Sequence, residues 1–380
     1  MSQAPLILLL GAEPKSLLNF RRPLIVAMVR AGLRVAVASM APAEAQRQAL
    51  EALGAEVHAV PFARAGMNPV KDFATLMALY RLMAHLRPDG VIAYTAKPVI
   101  YGLIAAWMAR VPRRAALITG LGYSFIDGPE RSRQVARRAA RFLYGLALPR
   151  ATAILFQNPD DRQTFADLGL LPKHVPVSVV NGSGVDTEHF APAAFPSSPV
   201  FLMIARLLAD KGVREYAEAA AELRRAVPGA KTLLVGGLDP SPNAVSEDEL
   251  KGFVSGGLDY RGELADVRTA IAESSVMVLP SYREGTPRSV LEAMSMGRAI
   301  ITTDAPGCRE TVVDGQNGKL VPVRNASALV AAMIELGKNH ELAAAMGQAS
   351  RRLAQEKYEA GRVAVDTLTK AGLLPGGTVT

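Results

Sequence analysis

Short apolar runs alternate with helical stretches along the whole chain, and this alternation most limits the folds open to it. The pattern is typical of a parallel sheet covered by helices on both faces. Strands are predicted at residues 5–10, 35–39, 57–60, 91–94, 116–119 and 153–156, and a second set at 200–204, 232–235, 276–279 and 299–302. We therefore predict an α/β protein with two sheets.

A stretch rich in Gly, Pro and Ser, residues 181–199, separates the two sets of strands and predicts a linker. We place the boundary near Pro192, which gives domains at residues 1–192 and 193–357. With 380 residues, 49% of them hydrophobic, the chain can bury two ordinary cores. The apolar face of residues 353–368 predicts a closing helix, at about 358–380. Helix starts are predicted at Asn158 with Pro159, and at Ser246 with Glu249.

Two glutamates, Glu284 and Glu292, follow the predicted strand 276–279 and lie eight positions apart. Between them, Thr286 predicts a helix N-cap and Pro287 the first helical residue, while Gly285 lets a ligand approach the main chain. The N–H groups at such a helix start favour phosphate oxygens. Glu292 would lie about 7.5 Å further along the axis, so one carboxylate can contact a sugar and the other a ribose. Chance spacing of two good helix formers is the structural alternative.

Arg206 and Lys211 follow the strand 200–204, ahead of a new helix. Two cations at that position suit a diphosphate in the crevice of an open α/β sheet, and the alternative is a solvated helix start. After the first strand, Asn19, Arg21 and Arg22 are candidates to hold the phosphates of a second substrate. The alternative for these three is an ordinary polar helix start.

Several classes of protein are disfavoured by what the sequence lacks. Neither a G-x-G-x-x-G fingerprint nor a G-x-x-x-x-G-K-[ST] loop occurs, which disfavours a dinucleotide oxidoreductase and a nucleotide hydrolase. The single Cys308 excludes an intrachain disulfide, and the five His show no metal-ligand spacing. No Asp-x-Asp motif is present, so we expect neither a metal nor a cofactor. The amino-terminal residues lack signal-peptide features, and the run LILLL is too short to span a bilayer, which predicts a cytoplasmic protein.

Positive charge is concentrated in the first part of the chain. Residues 1–150 hold 20 Lys and Arg against 8 Asp and Glu, a balance of +12, whereas the rest holds 23 against 27, a balance of −4. The densest stretch contains Arg110, Arg113, Arg114, Arg131, Arg133, Arg137, Arg138, Arg141 and Arg150, with Trp107, Phe142 and Tyr144 among them. Basic and aromatic residues together suit an anionic membrane surface, and a solvated helix face is the alternative. Nucleic acid is disfavoured because no nucleic-acid-binding motif occurs.

Four segments, in order, resemble the retaining glycosyltransferases of family 4, which have the GT-B fold. They are Arg206-Leu207 with Lys211-Gly212, LLVGG from Leu233, SYREGTPRSVLEAMSMG from Ser281, and TTDAPGCRETVVDGQNGKLVP from Thr302. In the first half, NFRRPLIVAMVRAG, YTAKPVIYG and TGLGYSF resemble a narrower group. That group transfers sugars to polyprenyl-diphosphate-linked acceptors in bacterial glycan assembly.

This resemblance implies two Rossmann-like domains facing a central cleft, with the closing helix crossing back to the first. It implies a retaining, metal-independent transferase that uses a nucleotide sugar, with a UDP-linked HexNAc or hexose favoured, peripheral at the inner face of the cell membrane. The implied catalytic residues are Glu284, Arg206 and Lys211. The implied donor-binding residues are Glu292, Gly285, Thr286, Pro287, Arg288, Ser289, Tyr260, Arg261, Gly262 and Gly236, and the implied acceptor-binding residues are Asn19, Arg21, Arg22, Lys97, Thr119, Gly120 and Tyr123.

Three alternatives stay open at the level of the sequence. A transferase to a soluble acceptor, or a nucleotide-sugar epimerase, would share the nucleotide half but lack membrane affinity. A non-enzymatic membrane-associated scaffold would keep the charge asymmetry and bind no nucleotide. In some family members, a His in the loop occupied here by Thr119 and Gly120 contacts the donor. This chain has no His there, so its role is either absent or taken by the backbone.

Overall fold

The computed structural model describes residues 4–62, 68–121, 131–241 and 243–374, with the backbone alone at 131–136. The chain divides into two compact units, Met1–Ser183 with Gly361–Thr380, and Gly184–Ala360. The division between Ser183 and Gly184 falls inside the predicted linker, ahead of Pro192.

The first unit is built on a parallel sheet of seven strands in the order β3-β2-β1-β4-β5-β6-β7. Its strands are β1 Leu6–Leu10, β2 Arg34–Ser39, β3 Ala55–Ala59, β4 Gly90–Tyr94, β5 Arg113–Ile118, β6 Ala153–Phe156 and β7 Val177–Val179. Its first six helices are α1 Pro14–Arg30, α2 Glu44–Glu51, α3 Pro69–Leu86, α4 Ala96–Met108, α5 Arg131–Ala147 and α6 Pro159–Asp167. The order reverses between β1 and β4, where a doubly wound sheet opens a crevice.

The second unit has a parallel sheet of six strands in the order β10-β9-β8-β11-β12-β13. Its strands are β8 Val200–Ile204, β9 Lys231–Val235, β10 Asp259–Tyr260, β11 Val276–Leu279, β12 Ala299–Thr303 and β13 Gly318–Val321. Its helices are α7 Val213–Ala226, α8 Glu247–Ser255, α9 Arg268–Glu273, α10 Arg288–Ser295, α11 Ala326–Lys338 and α12 His340–Lys357. Here the strand order reverses between β8 and β11.

The last helix, α13 Ala360–Lys370, belongs to the first unit. Ala364 and Leu368 are buried in the same hydrophobic cluster as Ile7 and Leu9 of β1. Leu8 and Leu10 alternate to the opposite face and join a second cluster with α3, α4 and α5. The sheet is therefore covered on both faces, as parallel sheets require. The predicted fold class, with a carboxyl-terminal helix returning to the first domain, is confirmed.

Several local predictions are confirmed and several are wrong. Asn158 caps α6, because its side chain accepts a hydrogen bond from the Asp161 N–H at 2.7 Å, and Ser246 with Glu249 forms the capping box of α8. The apolar stretch 353–368 is divided between two helices, since α12 ends at Lys357 and α13 begins at Ala360, and the closing helix is α13, within the predicted 358–380. Strands β7, β10 and β13 were missed because they are short, half-exposed edge segments with no buried apolar run.

Candidate functional site

The candidate site of the second unit lies where the strand order reverses. β8 and β11 are hydrogen-bonded neighbours, with Val276 opposite Phe201 and Met277 opposite Leu202. The residues after β8 include Arg206 and Lys211, and Glu284 follows β11. Parallel neighbours end at the same edge of a sheet, so the two segments meet in the position where doubly wound sheets bind ligands.

Lys211 and Glu284 form an ion pair across this edge, with 2.6 Å between Nζ and Oε1. Each side chain is only 16% exposed. A charge so far removed from water is costly unless it is paired, and here each group neutralises the other. The structure therefore brings together two of the three predicted catalytic residues.

The turn that carries Lys211 is held against the end of β11 by backbone contacts. Tyr282 donates its N–H to the Asp210 carbonyl at 2.8 Å. Gly212 has φ 75°, and a Cβ on it would lie 2.2 Å from the Pro280 carbonyl oxygen. Only glycine fits a left-handed position with another main chain so near. Gly212 therefore lets the Lys211 turn lie against the end of β11. This role cannot be predicted from the sequence, because it depends on the neighbouring strand.

Glu292 lies on α10, in the fifth residue of the helix, and is 8% exposed. The Arg288 guanidinium donates to its Oε1 from Nε at 2.7 Å. Burial raises the pKa of Glu292 above its usual range, and the nearby Arg288 charge opposes that shift. Ser289 fastens the helix to β8 by donating to the Ile204 carbonyl at 3.0 Å.

The predicted helix start is wrong by one residue. The N-cap of α10 is Pro287, without a side-chain capping bond, and Arg288 is the first helical residue. Thr286 is therefore not the cap. Glu284 and Gly285 still come before the helix, separated from Arg288 by Thr286 and Pro287. The Lys211–Glu284 pair therefore lies in the segment that leads into the positive end of the helix dipole.

Arg206, the third predicted catalytic residue, is the most exposed of the three. Its side chain is 66% exposed and forms a 3.0 Å ion pair with Asp239. The hydrogen bond from Ser241 and, to a lesser degree, the Arg206 charge lower the pKa of Asp239. An exposed guanidinium can exchange this carboxylate for a phosphate.

The segment Tyr260 to Gly262 contacts the end of β9. Gly236 donates its N–H to the Gly262 carbonyl at 2.8 Å, and the Tyr260 hydroxyl donates to the Gly236 carbonyl at 2.9 Å. A Cβ on Gly236 would lie 1.8 Å from the Ala205 carbonyl oxygen, so this position also requires glycine. The Arg261 guanidinium is directed at Asp259, 2.8 Å away.

The predicted acceptor residues of the first unit differ in exposure and in their contacts. Asn19 and Arg22 are exposed on α1, but Arg21 is 5% exposed and stacks 4.6 Å from the centre of the Tyr94 ring. Lys97, in the first turn of α4, pairs with Asp72 at 2.8 Å. The half-buried Thr119 and Gly120 follow β5. Tyr123 lies outside the described residues.

The predicted basic surface is formed by α4, α5 and the turn after α5. Arg137, Arg138, Arg141 and Phe142 are exposed on α5, and the Arg150 guanidinium lies 4.7 Å from the centre of the exposed Trp107 ring. We call these six residues the basic face. Tyr144 does not belong to it, since it is buried edge-on against Phe165. The side chains of Arg131 and Arg133 lie outside the described residues.

Among the residues that the structure describes, no three His, Cys, Asp or Glu side chains are grouped so that they could hold a metal ion. None of the helices described has both the length and the apolar character needed to cross a bilayer.

Comparisons with known proteins identify the class of both units. The model of the glycosyl transferase 4-like family matches residues 7–158, and that of the group 1 glycosyl transferases matches residues 198–339. Sucrose-phosphate synthase from Thermosynechococcus elongatus superposes with a TM-score of 0.79, covering 96% of this chain and 98% of that one at 18% identity. Anabaena HepE in complex with UDP and glucose gives 0.76, covering 97% and 100% at 19% identity.

Curated relatives agree with this class. N,N'-diacetylbacillosaminyl-diphospho-undecaprenol alpha-1,3-N-acetylgalactosaminyltransferase of Campylobacter jejuni is 32% identical, covering 83% of this chain and 84% of the relative. UDP-Gal:alpha-D-GlcNAc-diphosphoundecaprenol alpha-1,3-galactosyltransferase of Escherichia coli is 26% identical, covering 73% of each. The chain belongs to the family 4 glycosyltransferases, has the GT-B fold and is a glycosyltransferase.

The Lys211–Glu284 pair predicts strong energetic coupling. In a double-mutant cycle with Lys211→Met and Glu284→Gln, we expect a coupling free energy of about 1–3 kcal/mol, because either single change removes the opposite charge from a nearly buried ionised group. Calorimetric unfolding of the four proteins measures it. The exposed Lys251–Asp248 pair, with side chains 73% and 93% exposed, is the control and should give about 0–0.5 kcal/mol. Equal coupling in both cycles would contradict the prediction.

Proposed function

We propose that the enzyme is a retaining, metal-independent glycosyltransferase. It moves a sugar, a HexNAc or hexose, from a UDP-linked donor to a polyprenyl-diphosphate-linked saccharide in surface glycan biosynthesis. The observation that carries the proposal is the Lys211–Glu284 pair at the start of the helix that bears Glu292. One cation, one carboxylate and a helix start meet there, and a second carboxylate lies further along the same helix.

The donor contacts follow from charge. A nucleoside diphosphate leaves readily once its two phosphates are neutralised, and fixed positive groups are often the largest catalytic contribution. Lys211, Arg206 and the backbone N–H groups around Gly285 supply that charge. Arg206 reaches the phosphates by leaving Asp239. Binding a diphosphate also draws Lys211 away from Glu284, which frees the carboxylate to accept hydrogen bonds from the hydroxyls of the sugar.

Glu292 is suited to the ribose. Its carboxylate is buried and is paired with the Arg288 guanidinium through one oxygen, so its second oxygen can accept hydrogen bonds from a pair of hydroxyl groups. The base then lies toward the ends of β9 and β10, where Gly236 and residues 260–262 offer main-chain polar groups. Arg288 and Ser289 act on the donor by orienting Glu292 and α10, with Thr286 and Pro287 leading into the helix.

Transfer needs no protein nucleophile in this scheme. The bond between the anomeric carbon and the diphosphate oxygen breaks, and the acceptor hydroxyl bonds to the same face of the sugar. The acceptor proton passes to the departing phosphate oxygen. The anomeric configuration is retained because the new bond forms on the face that the diphosphate leaves. Neither a metal nor a cofactor takes part, since the cations of the chain balance the charge of the diphosphate.

The acceptor and donor classes are supported by the relatives. The names of the Campylobacter jejuni and Escherichia coli enzymes both describe sugars linked to diphospho-undecaprenol, and the second also names a UDP-linked donor. In this chain, Lys97, Thr119 and Gly120 follow β4 and β5 and are the candidates for the acceptor. Asn19, Arg21, Arg22 and Tyr123 complete the proposed set, with Arg21 acting through Tyr94 because it is buried.

The acceptor lipid implies work at a membrane, and the basic face supports peripheral binding at its cytoplasmic surface. Three exposed arginines of α5 favour anionic headgroups, each contributing about 1 kcal/mol. Phe142 and Trp107 are 66% and 51% exposed, and aromatic rings favour the interface between headgroups and chains. Arg150, whose guanidinium lies over the Trp107 ring, adds a cation beside one of these rings.

Replacing Glu284 and replacing Glu292 should affect different quantities, the first kcat and the second the Kd of UDP. Glu284→Gln should lower kcat for transfer by about 100-fold or more with little change in the Kd of UDP, since it contacts the reacting sugar. Glu292→Gln should weaken UDP binding about tenfold or more, because a hydrogen bond to a charged group is lost. Titration calorimetry and a transfer assay separate the two. Glu222→Gln, at an exposed position, is the control and should change neither kcat nor the Kd of UDP. If the Glu284 and Glu292 variants lost kcat and UDP affinity equally, the two proposed roles would be wrong.

Metal independence has a direct test. Transfer in excess EDTA should keep at least about half of its rate, because Lys211, Arg206 and the helix start neutralise the diphosphate without a cation. The assay compares metal-stripped enzyme with and without Mg²⁺ or Mn²⁺. If EDTA abolished turnover and either ion restored it, the proposal of a metal-free reaction would be wrong.

Membrane binding should depend on the basic face. Changing Arg137, Arg138 and Arg141 to Glu should lower partition onto vesicles containing anionic phosphatidylglycerol by at least about 100-fold, since three contributions of about 1 kcal/mol are lost. Co-sedimentation at low and high salt measures it, and salt should release the wild type. Reversal of Arg225, Lys251 and Arg352 in the second unit makes the same change of net charge and should have a much smaller effect.

Equal loss in the two triple variants would show that net charge alone matters. If the wild type failed to bind the vesicles at all, a soluble acceptor would be the better explanation of the transferase.

A further inference from the structure

The loop after β12 lies directly against the segment that carries Glu284. Glu284 donates its backbone N–H to the Pro306 carbonyl at 2.9 Å. The next residue, Gly307, is buried. Cys308 is buried behind it, with its Sγ 3.9 Å from the Ser281 carbonyl oxygen. The position of Glu284 therefore depends on a loop from a different strand.

Gly307 is in closest contact with the main chain of Glu284. A Cβ built on Gly307 would lie 2.1 Å from the Glu284 carbonyl oxygen, 2.4 Å from its carbonyl carbon and 2.7 Å from the Gly285 carbonyl oxygen. All three are backbone atoms, so they cannot rotate away as the end of a flexible side chain can. Any side chain at this position must force the Glu284–Gly285 peptide and the loop that carries Gly307 apart.

We propose that Gly307 is a positioning residue for the transfer reaction. Its missing side chain fixes the Glu284–Gly285 peptide, and that peptide sets both the direction of the Glu284 carboxylate and the start of the segment leading into α10. Gly307 touches no substrate in this scheme and acts through Glu284. The proposal rests on the proposed function, since it assigns Glu284 and the backbone that follows it to the donor.

The expected size of the effect follows from the geometry. An ordinary contact of a Cβ begins near 3.4 Å, so the peptide must move by about 1 Å, and a misplacement of that size costs on the order of 100-fold in rate. Glu292 and the ends of β9 and β10 are held by other contacts. Binding of the ribose and base should therefore survive the displacement that removes transfer.

A purely conformational role for Gly307 is the competing explanation, because its φ of 79° lies in the left-handed region that favours glycine. The same unit offers a matched position. Gly315 has φ 76°, and a Cβ on it would meet no atom within 4 Å. Alanine at either position suffers the same backbone strain, whereas only alanine at 307 collides with the Glu284 peptide.

The experiment compares Gly307→Ala, Gly315→Ala and the wild type by three measurements. These are the melting temperature, hydrogen exchange over residues 281–288, and the kinetics of transfer together with the Kd of UDP. Both variants should melt at a lower temperature than the wild type. Only Gly307→Ala should speed exchange at Glu284 and lower kcat on the order of 100-fold. Its affinity for UDP should fall less than kcat does, because the contacts to the ribose and base remain while the backbone at the diphosphate moves.

Two results would overturn the proposal. One is wild-type exchange at residues 281–288 in Gly307→Ala, and the other is an equal loss of kcat in both variants. If the wild type bound no UDP and showed no transfer with any UDP-sugar, the proposed function would fail. The exchange comparison would still decide whether Gly307 holds the Glu284 peptide, since it needs no ligand.

Discussion

The ion pair between Lys211 and Glu284 is the interaction on which the candidate site depends. It joins the segment after β8 to the segment after β11, which are neighbouring strands at the reversal of the second sheet. Either charge alone would destabilise the fold, because each side chain is largely removed from water. The pair therefore keeps a cation and a carboxylate ready at one edge, and a diphosphate can take over the lysine when it binds.

The pair can form because the backbone segments around it pack without side chains between them. Gly212 lets the Lys211 turn touch Pro280, and Gly236 lets the end of β9 touch Ala205. Gly307 lets the loop after β12 touch the peptide between Glu284 and Gly285. These contacts are made at the ends of hydrogen-bonded strands, so the sheet supports the site. Such support is what precise positioning of reacting groups requires.

Much of the fold could be predicted from the sequence, since apolar runs and capping residues are local signals. The strands β8, β11 and β12 and the caps at Asn158 and Ser246 were found in this way. Glu284 and Glu292 were found from their spacing around a helix start. The glycine contacts could not be found, because each depends on a carbonyl from a distant segment. The burial of Arg21 and Tyr144 cannot be predicted for the same reason, since Tyr94 and Phe165 contact them from elsewhere in the chain.

A crystal structure of the enzyme with UDP tests the central claim most directly. We expect the diphosphate to lie within hydrogen-bond distance of the Lys211 Nζ and the backbone around Gly285, at about 2.7–3.2 Å, with both ribose hydroxyls donating to the Glu292 carboxylate. The Lys211 ammonium should have moved away from Glu284 toward the phosphates. UDP bound elsewhere in the chain, or bound here with Glu292 contacting no ribose oxygen, would contradict it.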